Sequence, residues 1–174
     1  MSDAARVRVV DPCEIRALVP HLAEVLVDCV DGGASVSFMA PFTIDDARAF
    51  WTEFADAVEH NAASLVVAEI DGTVAGTVQV AFDTPPNQPH RAEIRKLLVH
   101  RRARGQGLGR ALMRAAEEEA VARGKSLLCL DTASTAAEHI YADLRWVRVG
   151  IIPDYALLPQ GGFCDTTIFY KRIA

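Results

Sequence analysis

Residues 99–110 read V-H-R-R-A-R-G-Q-G-L-G-R. They follow an apolar run, A-E-I-R-K-L-L-V at 92–99, and lead into a stretch where Leu108, Leu112, Ala115, Ala116 and Ala120 recur at helical spacing. The run reads as a strand and the stretch as a helix, so Gly105, Gly107 and Gly109 fall at a strand-to-helix turn. Glycines there let the backbone approach a ligand and take conformations that other residues avoid. The new helix offers unpaired N–H groups and the positive end of its dipole, both of which favour an anion. With Arg101, Arg102 and Arg104 in the same stretch, the segment reads as a polyphosphate cradle. The bland alternative is a glycine-softened turn with a solvated basic cluster.

Failed matches narrow the ligand. A dinucleotide fingerprint, G-x-G-x-x-G, breaks at Arg110. Gly124-Lys125-Ser126 imitates the end of a P-loop, but its first glycine would fall on Glu119, and the triplet closes a helix instead of opening one. It reads as a helix C-cap. What the stretch does contain is R-x-x-G-x-G, from Arg104 through Gly107 to Gly109, preceded by L-x-V at Leu97 and Val99.

At 174 residues the chain is expected to be one domain, 1–174, and its 51% hydrophobic content excludes a disordered chain. A net charge of −5 argues against general nucleic-acid binding, and the local R-R-A-R lacks interleaved aromatics. The four cysteines are far apart, with no C-x-x-C and no H-E-x-x-H, so free buried thiols and no metal are expected. No signal region or membrane-length apolar run is present, which predicts a cytoplasmic protein without a membrane partner.

Backward from the cradle, residues 83–90 hold three prolines and read as a loop, while 64–70 and 73–82 form a hairpin through Asp71-Gly72. Thr43 caps a helix carrying Ala49, Phe50, Phe54 and Val58 inward, after an apolar loop, A-S-V-S-F-M-A-P. That loop either lines a pocket or plugs the core. A helix from Glu14, which Pro20 kinks or splits, and a strand at 7–10 complete the N-terminal part. Forward come a strand at 127–130, a helix at 136–144, a strand at 146–152, a loop at 153–163 and a last strand at 166–170. This order gives an α/β protein with helices on the faces of a mixed sheet.

The cradle with its L-x-V prefix resembles the coenzyme A pyrophosphate loop of the GNAT acetyltransferases. Residues 135–149, T-A-A-E-H-I-Y-A-D-L-R-W-V-R-V, resemble the family's next motif, and the similarity covers the last half of the chain. D-G-G-A-S-V-S-F-M at 31–39 and Asp131-Thr132 resemble the branch containing the tabtoxin-resistance acetyltransferase. The resemblance implies the GNAT fold, a mixed sheet of about seven strands with about four helices, splayed between the fourth and fifth strands. It implies acetyl-CoA as co-substrate and transfer of acetyl to a small-molecule amine, as in toxin or antibiotic detoxification. Alternatives are a protein N-terminal or lysine acetyltransferase, or a non-catalytic acyl-CoA-binding module. Monomer and homodimer both stay open, since the last strand could pair with a second subunit.

In such a fold the pantetheine arm lies along Leu97, Leu98 and Val99, the Val99 N–H faces the acetyl oxygen, and Arg104, Gly105, Gln106, Gly107, Leu108, Gly109 and Arg110 hold the pyrophosphate. An ammonium, with a pKa of about 10.4, must lose a proton before it attacks. Glu93 matches the family's strand glutamate, and its even offset from Val99 would put both side chains on one face. Asp131 is the second candidate. The alternatives are a surface charge paired with Arg91 or Arg95 for Glu93, and a helix cap for Asp131. Tyr141 matches the family's proton donor to the leaving thiolate, against a core aromatic as the bland reading. Ser35, Phe38, Met39 and Asp131 are expected to touch the acceptor. A covalent route through Cys129 has no histidine nearby to support it. Arg101 stands where many members have proline, and Arg145 where a glycine is usual.

Overall fold

The computed structural model describes residues 5–173. They form β1 (Arg6–Val9), α1 (Ile15–Asp31), α2 (Ile44–Glu59), β2 (Ala63–Ile70), β3 (Thr73–Ala81), β4 (Arg91–Val99), α3 (Leu108–Ala122), β5 (Leu127–Thr132), α4 (Thr135–Asp143), β6 (Val147–Leu157) and β7 (Phe163–Arg172), with a 3-10 turn at Arg101–Ala103. One seven-stranded sheet runs in the order β1-β2-β3-β4-β5-β7-β6. The β4–β5 pair is parallel and the other pairs are antiparallel. The mixed sheet with four helices expected from the sequence is present.

Strand alternation assigns the two faces. Leu65 and Val67 of β2 pack with α1 and α2, through Ile15, Leu22, Leu26 and Trp51. Val66 and Ala68 pack on the other side with Leu108, Leu112 and Met113 of α3 and Tyr141 of α4. Because β2 is buried on both faces, its A-S-L-V-V-A run has no polar alternation.

Several local expectations change. α1 continues through Pro20 as one helix, held by a buried stripe that includes Ile15, Val19, Leu22, Val25 and Leu26. In α2 the buried stripe is Ala47, Trp51, Ala55 and Val58, whereas Ala49 is exposed and Phe50 and Phe54 flank the core. The Thr43 cap is complete: its hydroxyl accepts from the Asp46 N–H, and the Asp46 carboxylate accepts from the Thr43 N–H. β6 runs on past Pro153 to Leu157, which an edge strand tolerates because one row of its N–H groups has no ladder partner. Gly124 has φ 72 and, with Lys125 N–H bonded to Ala120 O at 2.9 Å, closes α3 as a Schellman cap. Of the four cysteines only Cys29 is fully buried, and Cys13 is exposed; all are free.

Candidate active site

β4 and β5 pair only at Arg91–Leu127, Ala92–Leu128 and Glu93–Cys129. Beyond that, β5 stays in register with β7 through Thr132 while β4 continues beside β3 to Val99. The two central strands therefore part, and the free inner edge of β4 borders the gap.

The backbone around Val99 is aimed into this gap. His100 N–H donates to Ala75 O at 2.9 Å. In the alternation of an antiparallel ladder, Leu98 then bonds β3, and the Val99 N–H and C=O point the other way. Leu98, expected beside Leu97 and Val99 as a cofactor contact, is thus committed to β3, with its side chain in the α1–α2 core. The Val99 carbonyl accepts from Arg104 Nε at 3.1 Å and from the Cys29 thiol at 3.6 Å.

Past Val99 the chain turns through the cradle. Gly105 and Gly107 have φ of 76 and 79, and a Cβ on either would meet nothing within 4 Å, so they serve the turn itself. Gly109 has a different reason: a Cβ there would lie 2.8 Å from Ile140 Cδ1, so it admits α4. The Ala111 N–H bonds Gly107 O at 3.1 Å, and the N–H groups of Leu108, Gly109 and Arg110 ahead of it have no helical acceptor. Gln106, Gly107 and Arg110 are exposed, while Leu108 is buried in the core.

The basic cluster is less free than its sequence suggests. The Arg101 N–H and Nε donate to Asp28 at 2.8 and 2.9 Å, and Arg110 pairs with Asp143. Arg102 is exposed and has no ion pair among the described residues.

The even spacing of Glu93 and Val99 does not put them on one face. Thr77 faces Leu98 while Gln79 faces Arg95, so two steps on β3 match three on β4. The extra residue is accommodated beside Lys96, whose φ is 52, and such a bulge inverts the parity beyond it. Glu93 shares its face with Leu98, Cys129 and Asp131, on the α1–α2 side. There it accepts from Arg95 at 2.8 Å, the ion pair named as its alternative role.

Asp131 is not a helix cap: Ser134 holds that position and accepts from the Ala137 N–H at 3.2 Å. Instead Asp131 accepts from the buried Thr166 hydroxyl at 2.8 Å. Tyr141 comes from the opposite face, buried against Trp146 and Phe169 with ring centroids 5.9 and 5.4 Å away. Burial pushes its phenol well above the ordinary tyrosine range, and the negative charge of Asp131 pushes it further. The structure thus brings Asp131 and Tyr141 to one end of β5 from two faces of the sheet.

The loop between α1 and α2 plugs the core in part and is tied down at its other side. Val36 and Phe38 pack on the core. Ser35 donates to Leu157 O at 3.5 Å and Ala40 N–H to Pro159 O at 2.9 Å, tying the loop to the β6–β7 end. Met39 is 46% exposed. Phe38 packs at a tilt against Phe42 and edge-on against Phe50, and Lys96 reaches both Phe38 and Phe50. Sequence reasoning missed Lys96, because within A-E-I-R-K-L-L-V nothing marks a bulge. Among the described residues, no group of three or more His, Cys, Asp or Glu is placed to hold a metal ion. No helix among them is long and apolar enough to cross a membrane.

Solved structures share this architecture along nearly the whole chain. An N-acetyltransferase from Staphylococcus aureus Mu50 superposes with a TM-score of 0.80 at 19% identity, covering 99% of this chain and 100% of its own. A ribosomal-protein-alanine N-acetyltransferase from Brucella melitensis gives 0.77 at 22%, covering 96% and 99%. A GNAT superfamily phosphinothricin acetyltransferase from Sinorhizobium meliloti, described in complex with AcCoA, gives 0.79 at 18%, covering 98% and 89%. At such identities the likeness speaks for the fold. A sequence model of the acetyltransferase (GNAT) family matches residues 34–144, from the loop after α1 to the end of α4. That stretch takes in the parted strands, the cradle and Tyr141, and the chain belongs to the acetyltransferase (GNAT) family.

Proposed function

We propose that the protein transfers the acetyl group of acetyl-CoA to the amine of a small molecule, by direct attack within a ternary complex. The observation that carries this reading is the gap between β4 and β5, into which the Val99 N–H points and from which the chain leads to the open start of α3. An extended pantetheine arm fits the free edge at Leu97 and Val99 as an added strand. The N–H groups from Gly105 to Arg110 suit its pyrophosphate. The description of the Sinorhizobium neighbour in complex with AcCoA supports the same co-substrate.

Each step then has a residue. Asp131 attracts the acceptor ammonium and takes its proton, with Glu93 at the root of the gap as a relay through water. The free amine attacks the thioester carbon, and the oxygen gains charge beside the Val99 N–H. As the C–S bond breaks, the Tyr141 hydroxyl hydrogen-bonds the sulfur, and the second proton, shed by the attacking nitrogen, passes through water to the thiolate and leaves the free thiol. With its phenol raised and a thiol near 8.5, Tyr141 serves as a hydrogen-bond donor, and outright ionisation would run uphill.

The loop tied down at Leu157 and Pro159 narrows the acceptor side, which favours a small molecule over a protein terminus. A toxin or antibiotic with a free amine is an acceptor of this kind. The test compares thiol release from acetyl-CoA in wild type, Asp131→Asn and Glu93→Gln across pH. Asp131→Asn should lose about 10²-fold or more in turnover. Glu93→Gln should lose less. Equal activity of Asp131→Asn and wild type would remove Asp131 from the chemistry.

A further inference from the structure

The β4 bulge places a cation where the mechanism does not call for one. Lys96, at φ 52, turns its side chain to the α1–α2 side of the gap. Its Nζ donates to Ser37 Oγ at 3.2 Å and lies 5.4 and 5.7 Å from the ring centroids of Phe38 and Phe50. Neighbouring cations have anionic partners: Arg95 has Glu93 and Asp83, and Arg101 has Asp28. Among the described residues, no carboxylate lies within 4 Å of the Lys96 ammonium.

Two aromatic faces hold the ammonium in place but supply no countercharge. Burial lowers its pKa from the ordinary lysine range, the Arg95 charge adds to that effect, and Asp131 opposes it. Asp131 stands on the same side of the sheet, two residues past the last β4–β5 pair at Cys129, and among the described residues it makes no ion pair with Lys96. The acceptor end of the gap carries one positive and one negative group that do not neutralise each other.

We propose that the acceptor is an amine bearing an acid group in the same small molecule, with its ammonium at Asp131 and its acid group at Lys96. Lys96 is thus a specificity-determining residue. An acid group would replace the missing countercharge by a charge-assisted hydrogen bond to Nζ, and the aromatic walls would shield that pair from water. The inference rests on the acetyl-transfer reading and narrows its substrate class.

The experiment uses matched acceptor pairs, amino acids against their carboxamides, which keep the amine and lose the acid. Thiol release from acetyl-CoA is measured for wild type, Lys96→Met and Lys96→Arg. Thermal stabilisation by each acceptor in the presence of coenzyme A is read in parallel. Wild type should favour acids over amides by at least tenfold in kcat/KM, about 1.4 kcal/mol. Lys96→Met should lose that preference through a raised KM for acids, with amides little changed. Lys96→Arg should retain it. A preference that survives in Lys96→Met, or a wild type that favours amides, overturns the proposal. No thiol release with any acceptor would overturn acetyl transfer. The acid-dependent stabilisation, present in wild type and absent in Lys96→Met, would then still support Lys96 as the anion site, and its absence from wild type would refute it.

Discussion

Gly76→Ala tests whether packing behind β4 sets the position of the Val99 N–H. Gly76 faces Val99 in the β3–β4 register. A Cβ there would lie 2.9 Å from Leu98 O and 3.0 Å from Leu112 Cδ1. The leucine methyl can rotate away, but a backbone oxygen can yield only if β4 moves. Overpacking of this kind costs about 1–3 kcal/mol. Removing a strand glycine returns about 0.5–1 kcal/mol. The net expectation is a loss centred on about 1 kcal/mol and reaching about 2.5, and at this chain length each kcal/mol shifts Tm by about 2–4 °C. Gly150→Ala on β6 is the control, because a Cβ there meets nothing within 4 Å and the residue lies outside the positive-φ set. It should raise Tm slightly. Thermal unfolding of the two variants, with acetyl-CoA titrated by calorimetry, reads both effects. Gly76→Ala should also bind acetyl-CoA more weakly, since β4 and the Val99 N–H move together. Shifts of the same sign in both variants, or a Gly76→Ala protein as stable as wild type, would refute the reasoning.

Arg145 has φ 62, where a side chain is strained by about 1–2 kcal/mol, so Arg145→Gly should gain stability even after glycine's greater unfolded-state entropy is counted. Thermal unfolding checks this, and a lowered Tm would contradict it. Burial alone would raise the Asp28 carboxyl, but hydrogen bonds from the Arg101 N–H and guanidinium, with the charges of His100 and Arg101, hold it below the ordinary range. Its contribution to stability is therefore full above about pH 4, and fades as pH falls through the depressed value. Denaturant titrations should show Asp28→Asn less stable than wild type near neutrality, with the difference shrinking in acid. Tyr141→Phe keeps the ring packing on Trp146 and Phe169 and removes one hydrogen-bond donor to the sulfur, so acetyl-CoA affinity should hold while turnover falls by about 10²-fold. Because its phenol is raised, the wild-type pH profile should show no loss from tyrosine ionisation below about pH 10.

What the sequence reveals and conceals follows from how local each determinant is. The turn at 105–107 was legible because glycines between a strand and a helix act through their own backbone, as Gly105 and Gly107 do. Arg145 was legible only as a residue standing where a glycine is usual; that its turn keeps a positive φ follows from the fold. The Glu93–Val99 relation was not, because the bulge at Lys96 depends on how β3 and β4 register. Nor was the freedom of the arginines, since Asp28 and Asp143 reach Arg101 and Arg110 from distant helices. In α2 the run A-F-W-T-E-F offers apolar side chains in several directions, and tertiary packing selects Trp51 over Ala49. β6 extends through Pro153 because of its edge position, which only the sheet order discloses.

The most direct test of the account is to incubate wild-type protein with acetyl-CoA and a panel of small amines, amino acids and basic peptides, following thiol release while identifying the product by mass. Released thiol should match acetylated small amine, mole for mole, at a rate proportional to the protein. Tight acetyl-CoA binding with no acetylated product from any acceptor would contradict it.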